Sequence, residues 1–540
     1  MNSSTRQLNS IRRPGRLRQD RSGLVLIVVL VTVVILSLSA YTFTALMQTE
    51  EEAARLITRR VQSKYLVDSG VDYARQFLAR DEASIREVGG RWDNADQFQG
   101  VPVAANVNDP NNIGAFTLIC SNLDDEANPE GFRYGLIDES SKINLNVLPF
   151  WDERINVRDE VLIALPGMTE DVADAILDWL DADDESRDFG VESDYYRSQS
   201  PAYEAKNGPL DSLDELLLIR GVTPELLFGL DTNRNGILDE SEATGAGVSS
   251  LDANMTLGWA NYVTLYSNES NLNADQLPRI NINDDNLEQL FDDLRSRFDE
   301  NWANFIIHWR SSTENAQPPE EGATILPPNQ VPVDFDSIVS ERKFRNVLDL
   351  VGVTLTVTGV DGEGNQVFMN SPLPNPSLQT LRQFGSLLTN AMNELTHFEG
   401  RSIPGRINIM QAPRIVLNAI PGLSEEQVEL IIQRREFELD QPEGADVLRL
   451  HPTWLWAEGA PLIPIVSDAT TMSSLLPYIC TGGDVYRAEI IGFFPDGIGT
   501  SRAEGVIDTI AAQPRLLFWR DKSHLPSGYS VDALGIGLTR

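Results

Sequence analysis

Residues 24–46 read LVLIVVLVTVVILSLSAYTFTAL, and the meaning of that run governs how the rest of this 540-residue chain is read. It holds no charge, and none follows until Glu50. At a rise of about 1.5 Å per residue the run reaches roughly 35 Å as a helix, enough to cross a bilayer core. Its many β-branched side chains would favour a strand in water. In lipid, however, a lone segment must close its own hydrogen bonds, so the run predicts a helix. Arg6, Arg12, Arg13, Arg16, Arg18 and Arg21 stand before it, against Asp20 alone. Positive charge stays inside, which predicts a single-pass membrane protein with its N-terminus in the cytoplasm and the remainder outside.

A secretory signal has a shorter apolar core with a small-x-small cut behind it. Here the candidate cut lies ahead of the core, at the Gly23–Leu24 bond. This resembles the prepilin-type leader of type IV pilins and secretion pseudopilins. The resemblance implies removal by a prepilin peptidase, with the apolar helix kept as the mature N-terminus. A plain N-terminal anchor fits the same residues. Most pilins carry Glu at the fifth mature position, thought to pair with the ammonium of a neighbouring subunit; this chain has Val28 there. An unpaired charge among apolar helices is costly. A subunit with no neighbour ahead of it is the one that needs no such carboxylate.

The net charge is −37, and the basic leader makes the remainder more acidic still. Such a surface repels nucleic acid and anionic headgroups and suits work among divalent cations. No nucleic-acid partner is expected. Cys120 and Cys480 each close an apolar run, FTLIC and LLPYIC. That predicts strands of one sheet and admits a single disulfide outside the cytoplasm, with two free buried thiols as the alternative.

Past the membrane run, Ala53, Ile57, Val61 and Tyr65, then Val67, Val71, Ala74 and Leu78, keep one apolar stripe among charges. The helix is therefore expected to continue, with Gly70 and Gly89-Gly90 as the first breakers. From Gly114 to Asn146, AFTLIC, FRYGLIDE and KINLN read as strands between turn residues. Strand signals then lapse until DVYRAEIIGFF, AEGVIDTIAA and RLLFWR near the end. The fold expected is α+β: a pilin-like long N-terminal helix and small antiparallel sheet, with a large α-helical insertion between the strands.

The insertion repeats itself. Lys142-Ile-Asn-Leu-Asn146, Arg279-Ile-Asn-Ile-Asn283 and Arg406-Ile-Asn-Ile-Met410 share a basic-Ile-Asn-aliphatic pattern. VLIALPGMTEDVADAILDWL, LDELLLIRGVTPELL and RIVLNAIPGLSEEQVELIIQRR each put a glycine (Gly167, Gly221, Gly422) at a turn. Thr169, Thr223 or Ser424 then caps the next helix. Residues 283–310 keep the periodicity without the Pro-Gly turn, as a degenerate copy. These are helix-hairpin-helix (SAM-like) signatures. Glu170, Glu225 and Glu425 nevertheless stand where a phosphate would sit, which points to packing or protein binding.

Taken in order, KINLN, ILDWLDADDESRDFGVESDYY, AYEAKNGPLDSLDELLLIRGVTPELL and GRINIMQAPRIVLNAIPGLSEEQVELII, with the leader and Val28, resemble the blocks of the type II secretion protein K family. The resemblance covers most of the chain, although the tract from Asp284 to Gly400 is longer than that family leads one to expect. It implies a leader over 1–23, a transmembrane and amphipathic helix over 24–80, and the first part of a pilin-like head over 81–141. An inserted α-domain over 142–278 follows, then a degenerate repeat and extension over 279–400, a second helix-hairpin-helix domain over 401–440 and the head's closing strands over 441–540. It further implies a minor pseudopilin that caps the tip of the secretion pseudopilus and helps start its assembly. Its partners would be other minor pseudopilins, met through the N-terminal helix and head, and no enzymatic activity is expected. A minor pilin of a type IV pilus, and more remotely a membrane-tethered hydrolase, are the rival classes.

Asp231-Thr-Asn-Arg-Asn-Gly-Ile-Leu-Asp-Glu-Ser-Glu242 fits the twelve-residue EF-hand loop position by position. Asp231, Asn233 and Asn235 offer side-chain oxygens, Gly236 the sharp turn and Ile237 its carbonyl. Asp239 serves directly or through water, and Glu242 bidentately. Ca2+ is thus the expected cofactor, held as a lone structural clip because ATGAGVSS makes a poor exiting helix. A second acidic cluster offers Asp178, Asp181, Asp183 and Glu192, offset by Arg187. The family resemblance implies calcium in this inserted region, and a solvated loop is the alternative. His308, His397, His451 and His524 match no zinc spacing, and neither cysteine has a catalytic signature.

Overall fold

The computed structural model describes residues 22–103, 113–123, 131–239, 242, 257–313, 315, 323–336, 338–358, 366–377, 380–435, 449–457, 464–495, 497–526, 528–530 and 532–535. The leader arginines and the ATGAGVSS stretch lie outside these residues. The chain divides into two units, Met1–Gln62 and Ser63–Arg540.

Helix α1 (Ser22–Leu78) is a single 57-residue element. Its apolar run is exposed throughout, and it is the one described helix long and apolar enough to cross a membrane. The threonines of the run bond back to their own helix. The Thr32 hydroxyl donates to Val29 O at 2.8 Å and the Thr44 hydroxyl to Ala40 O at 2.9 Å.

In the second unit the sheet is the one the sequence leaves unfinished and then completes. Strands β1 (Val101–Val103), β2 (Gly114–Ser121), β3 (Phe132–Arg133), β4 (Ile137–Asp138), β5 (Val485–Phe493), β6 (Ser501–Asp508) and β7 (Arg515–Asp521) are antiparallel. They are ordered β1-β2-β5-β6-β7, with β3 on β2 and β4 on β5. Alternation gives the sheet two different faces. Phe116, Leu118, Tyr486, Ala488, Ile490, Ala503 and Ile507 meet Val67, Val71, Ala74 and Phe77 of α1. Gly70 does not break this helix: it lets helix and sheet close. A Cβ there would stand 2.5 Å from Ile490 Cγ2 and 3.1 Å from Phe116 Cδ2. Gly70→Val is expected to cost about 2–3 kcal/mol through overpacking, read as a lower urea midpoint at unchanged slope.

The opposite face carries a buried lattice of charge. Arg487 donates to both oxygens of Glu139 (2.7 and 3.0 Å) and lies 3.3 Å from Glu504. Lys522 bridges Glu504 (2.5 Å) and Glu489 (3.3 Å), and Arg502 pairs with Glu489 at 2.5 Å. These groups join the sheet to the insertion, because Glu139 also accepts from the Thr264 hydroxyl.

The insertion has its own apolar core, running from Ile143 to Ile479. The three basic-Ile-Asn motifs each form a two-residue strand with a distant parallel partner. Ile143-Asn144 pairs with Val263-Thr264, Ile280-Asn281 with Leu395-Thr396, and Ile407-Asn408 with Ile479-Cys480. In each, the Asn side chain accepts the amide two residues on (Asn146, Asn283, Met410) at 2.9–3.0 Å and ends the strand. The repeat in the sequence is thus a set of three clasps.

Other expectations need correction. The insertion is not helical throughout: Ile325–Leu326, Thr354–Thr358 and Gln366–Asn370 form a three-stranded sheet within the unexplained middle tract. Cys120 lies in β2 and Cys480 in the third clasp, so they do not share a sheet. Both are buried and free, each thiol directed at a carbonyl (Arg133 and Arg406). The turn glycines Gly167, Gly221 and Gly422 do take positive φ of 68°, 83° and 82°. The segments before the first two turns are 3-10 stretches, Leu162–Ala164 and Leu213–Leu218. Thr223 and Ser424 accept amides of the next helix, whereas the Thr169 hydroxyl donates to Asp171 instead.

Candidate metal centres

Helix α2 (Glu170–Leu180) buries nearly all of its residues in the insertion core, and Asp181 caps its C-terminus. A helix carboxyl end repels acids, yet Asp181 and Asp183 lie just beyond it and Glu192 returns to the same place. One carboxylate oxygen from each of Asp181, Asp183 and Glu192 falls within 4.8 Å of the others. Asp181 Oδ1 and both Glu192 oxygens are buried with no hydrogen-bond partner. Glu192 is only 7% exposed. Burial first, then Asp178 and Asp181, push its carboxyl up to about 7. Carboxylates left buried and unpartnered are what an oxygen-ligated cation would satisfy.

Asp178 is not one of this trio. It accepts from Arg187 Nη1 at 2.8 Å, and Arg187 also reaches Asp181 Oδ2 (2.5 Å) and Asp152 Oδ2 (2.9 Å). Asp178 therefore positions the arginine that shapes the loop, and Gly190 is needed above it: a Cβ there would lie 1.8 Å from Asp178 Oδ2. A residue missed in the acid count is Asn207. Its Nδ2 donates to Asp183 O at 2.6 Å and to Asp184 at 3.0 Å, while its Oδ1 is buried without a partner. The Asn207-Gly208 pair was the available signal, and Asn207 does take a positive φ of 48°.

The 231–242 loop gathers its predicted side chains around its own backbone. Asp231 accepts from Asn235 N (3.0 Å) and Gly236 N (2.7 Å), and Asn235 Oδ1 from Ile237 N (2.9 Å). Glu242 folds back over the loop, accepting from Thr232 N (2.8 Å) and Asp239 N (3.2 Å). Asn233 Nδ2 donates to Asp239 at 2.8 Å, and Gly236 has φ 77°. Asp231, Asn233 and Asn235 are all buried, and burial pushes Asp231 up to about 6. The donors are all oxygen, which suits Ca2+. Counting His, Cys, Asp and Glu side chains alone, the Asp181 trio is the one group among the described residues gathered within 4.8 Å, and the loop's Asn233, Asn235 and Ile237 oxygens stand outside that count.

The loop's outer side is held by the closing strands. Arg502 donates to Asn233 O and Arg234 O (2.7 Å each), Lys522 to Arg234 O (2.9 Å) and Tyr529 to Asn235 O (3.3 Å). Arg502 and Lys522 are the cations that also pair with Glu489. Order in the loop and order in the charged lattice are therefore linked through the same two side chains. Nothing in the local sequence announces this, since the partners lie about 270–290 residues apart.

Residues 141–231 match the family model of type II secretion system (T2SS) protein K. The match takes in the Asp181 trio and ends on Asp231. A relative from Escherichia coli (strain K12), provisionally named as a type II secretion system protein K, is 22% identical over 221 residues. That alignment covers 39% of this chain and 61% of the relative, short of two thirds of its length. The crystal structure of the GspK-GspI-GspJ complex from the enterotoxigenic Escherichia coli Type 2 Secretion System is also similar, at 11% identity and a TM-score of 0.36. It covers 87% of this chain and 98% of that one. At that score the likeness carries no weight for the arrangement of the elements.

Proposed function

We propose, from the match of residues 141–231 to type II secretion system protein K, that this chain is a minor pseudopilin that caps the pseudopilus tip and helps start its assembly. The observation that carries the reading is Val28, an apolar residue at the position where a stacked pilin offers its carboxylate. In this reading a prepilin peptidase cuts the Gly23–Leu24 bond, and α1 sits in the inner membrane with its front end in the cytoplasm. The exposed apolar flank of α1 then meets other minor pseudopilins. The insertion between β4 and β5 enlarges the head so that no subunit stacks above it. Calcium, bound at the 231–242 loop and at Asp181, Asp183 and Glu192, holds the insertion to the sheet. Intact-mass analysis of protein from cells with and without the prepilin peptidase tests this. A mature form beginning at Leu24 is expected only with the peptidase. An uncut form in its presence removes the basis of the proposal.

A further inference from the structure

Arg279 and Arg406 hold the same place in the second and third Ile-Asn motifs, and the fold brings them together. Arg406 Nη2 lies 2.5 Å from Glu269 Oε2, and Arg279 Nη1 lies 3.8 Å from Glu269 Oε1. Two guanidiniums thus share the one carboxylate of the wall, and Asp484 and Glu394 act on Arg279 from behind it. All three line a cavity of about 30 Å³ whose walls also include His397, His451 and Thr481. Glu269 is the only acid among its described lining residues. Arg279 Nε, Arg406 Nε and His451 Nε2 are each buried without a partner, and Arg406 and His451 are each only 7% exposed.

From this arrangement we propose that the cavity binds one small monovalent anion of chloride size between Arg279, Arg406 and His451. Both Arg Nε–H groups are obligatory donors whose burial unpaired is costly. An imidazole carrying its proton on Nε2 adds a third donor. Burial and the neighbouring arginines push His397 down to about 4 and His451 down to about 3, so both rings are neutral near pH 7 and add no charge. Two guanidiniums in the wall against one carboxylate disfavour a metal ion, and the volume admits only about two water-sized particles, too few for a phosphate. Glu269, Arg279, Leu450 and Thr481 also line a wider cleft of about 1430 Å³, which gives a solvent ion a way in. The anion would neutralise the junction between the second and third clasps.

The test uses the full-length chain in detergent. Crystals grown in bromide should show anomalous density beside Arg279, Arg406 and His451. Exchanging gluconate for roughly 0.2 M chloride at fixed ionic strength should raise Tm by about 2 °C, and Arg279→Gln should abolish that rise. No bromide in the cavity, or equal melting in the two salts, overturns the proposal. Bromide density with no effect on melting marks an adventitious ion only, and equally overturns it. The wild-type measurements decide the matter even if the variant fails to fold.

Discussion

Glu192→Gln is expected to make the calcium-free protein more stable and the calcium-loaded protein less stable. Without a cation, Glu192 is a buried carboxylate beside Asp181 and Asp183, raised to about 7 from an ordinary 4.5. The folded state then holds a proton that the unfolded chain has released, so stability falls as pH rises from about 4.5 to 7. At pH 8 the full cost is present, on the order of 3 kcal/mol. Glutamine removes that cost. It also removes a charged ligand, so at millimolar calcium the variant should forgo about 3 kcal/mol or more of the stabilisation that binding gives. Melting in EGTA and in calcium from pH 5 to pH 8 reads both signs. If the variant is destabilised equally in both buffers, Glu192 is a packing residue and the cluster binds no ion.

Arg487→Met should destabilise the head by about 3 kcal/mol, because it takes one cation from two buried carboxylates and leaves Glu139 without a direct ion pair. In the wild type, burial works against the charge on Glu139, but Arg487 and Lys142 outweigh it and hold the group below the usual carboxylate range. Burial likewise opposes the charge on Glu504, and Lys522 and Arg487 hold that group well below it. Groups with depressed folded values lend stability above about pH 4.5, and lose it as pH falls below. The wild type should therefore weaken in acid. In the variant the same carboxylates are buried without Arg487, so part of the lost stability should return on acidification from pH 7 to pH 5. Urea midpoints across that range check this. A deficit that does not change with pH would mean that the arginine acts through its packing alone.

How far the sequence spoke depended on the range over which each interaction acts. The long apolar helix, the outer strands and the 231–242 loop are written in adjacent residues, and each was legible. The Ile-Asn repeat was legible as a pattern, but its meaning was not. Each motif finds its partner strand far along the chain, and Thr396 or Cys480 carries no mark of that pairing. Asp178 looked equivalent to Asp181 because acids counted along a chain are all alike; Arg187 pairs with both, and only Asp181 keeps an oxygen buried without a partner. Gly70 read as a breaker because a helix glycine is costly in isolation, and the close approach of Ile490 reverses that meaning. The strands Thr354–Thr358 and Gln366–Asn370 are short and lie in a tract read as helix and loop.

Arg487 and Glu139 meet across the sheet although 348 residues separate them in the chain. Neither β4 nor the first clasp can find its final support until the last strands have been made. Closing so large a loop is entropically slow. A chain made from its N-terminus would thus complete α1 and β2 long before β5, β6 and β7, the strands that finish their sheet. The insertion, whose core runs from Ile143 to Ile479, can pack earlier, but the sheet closes only with the final sixty or so residues.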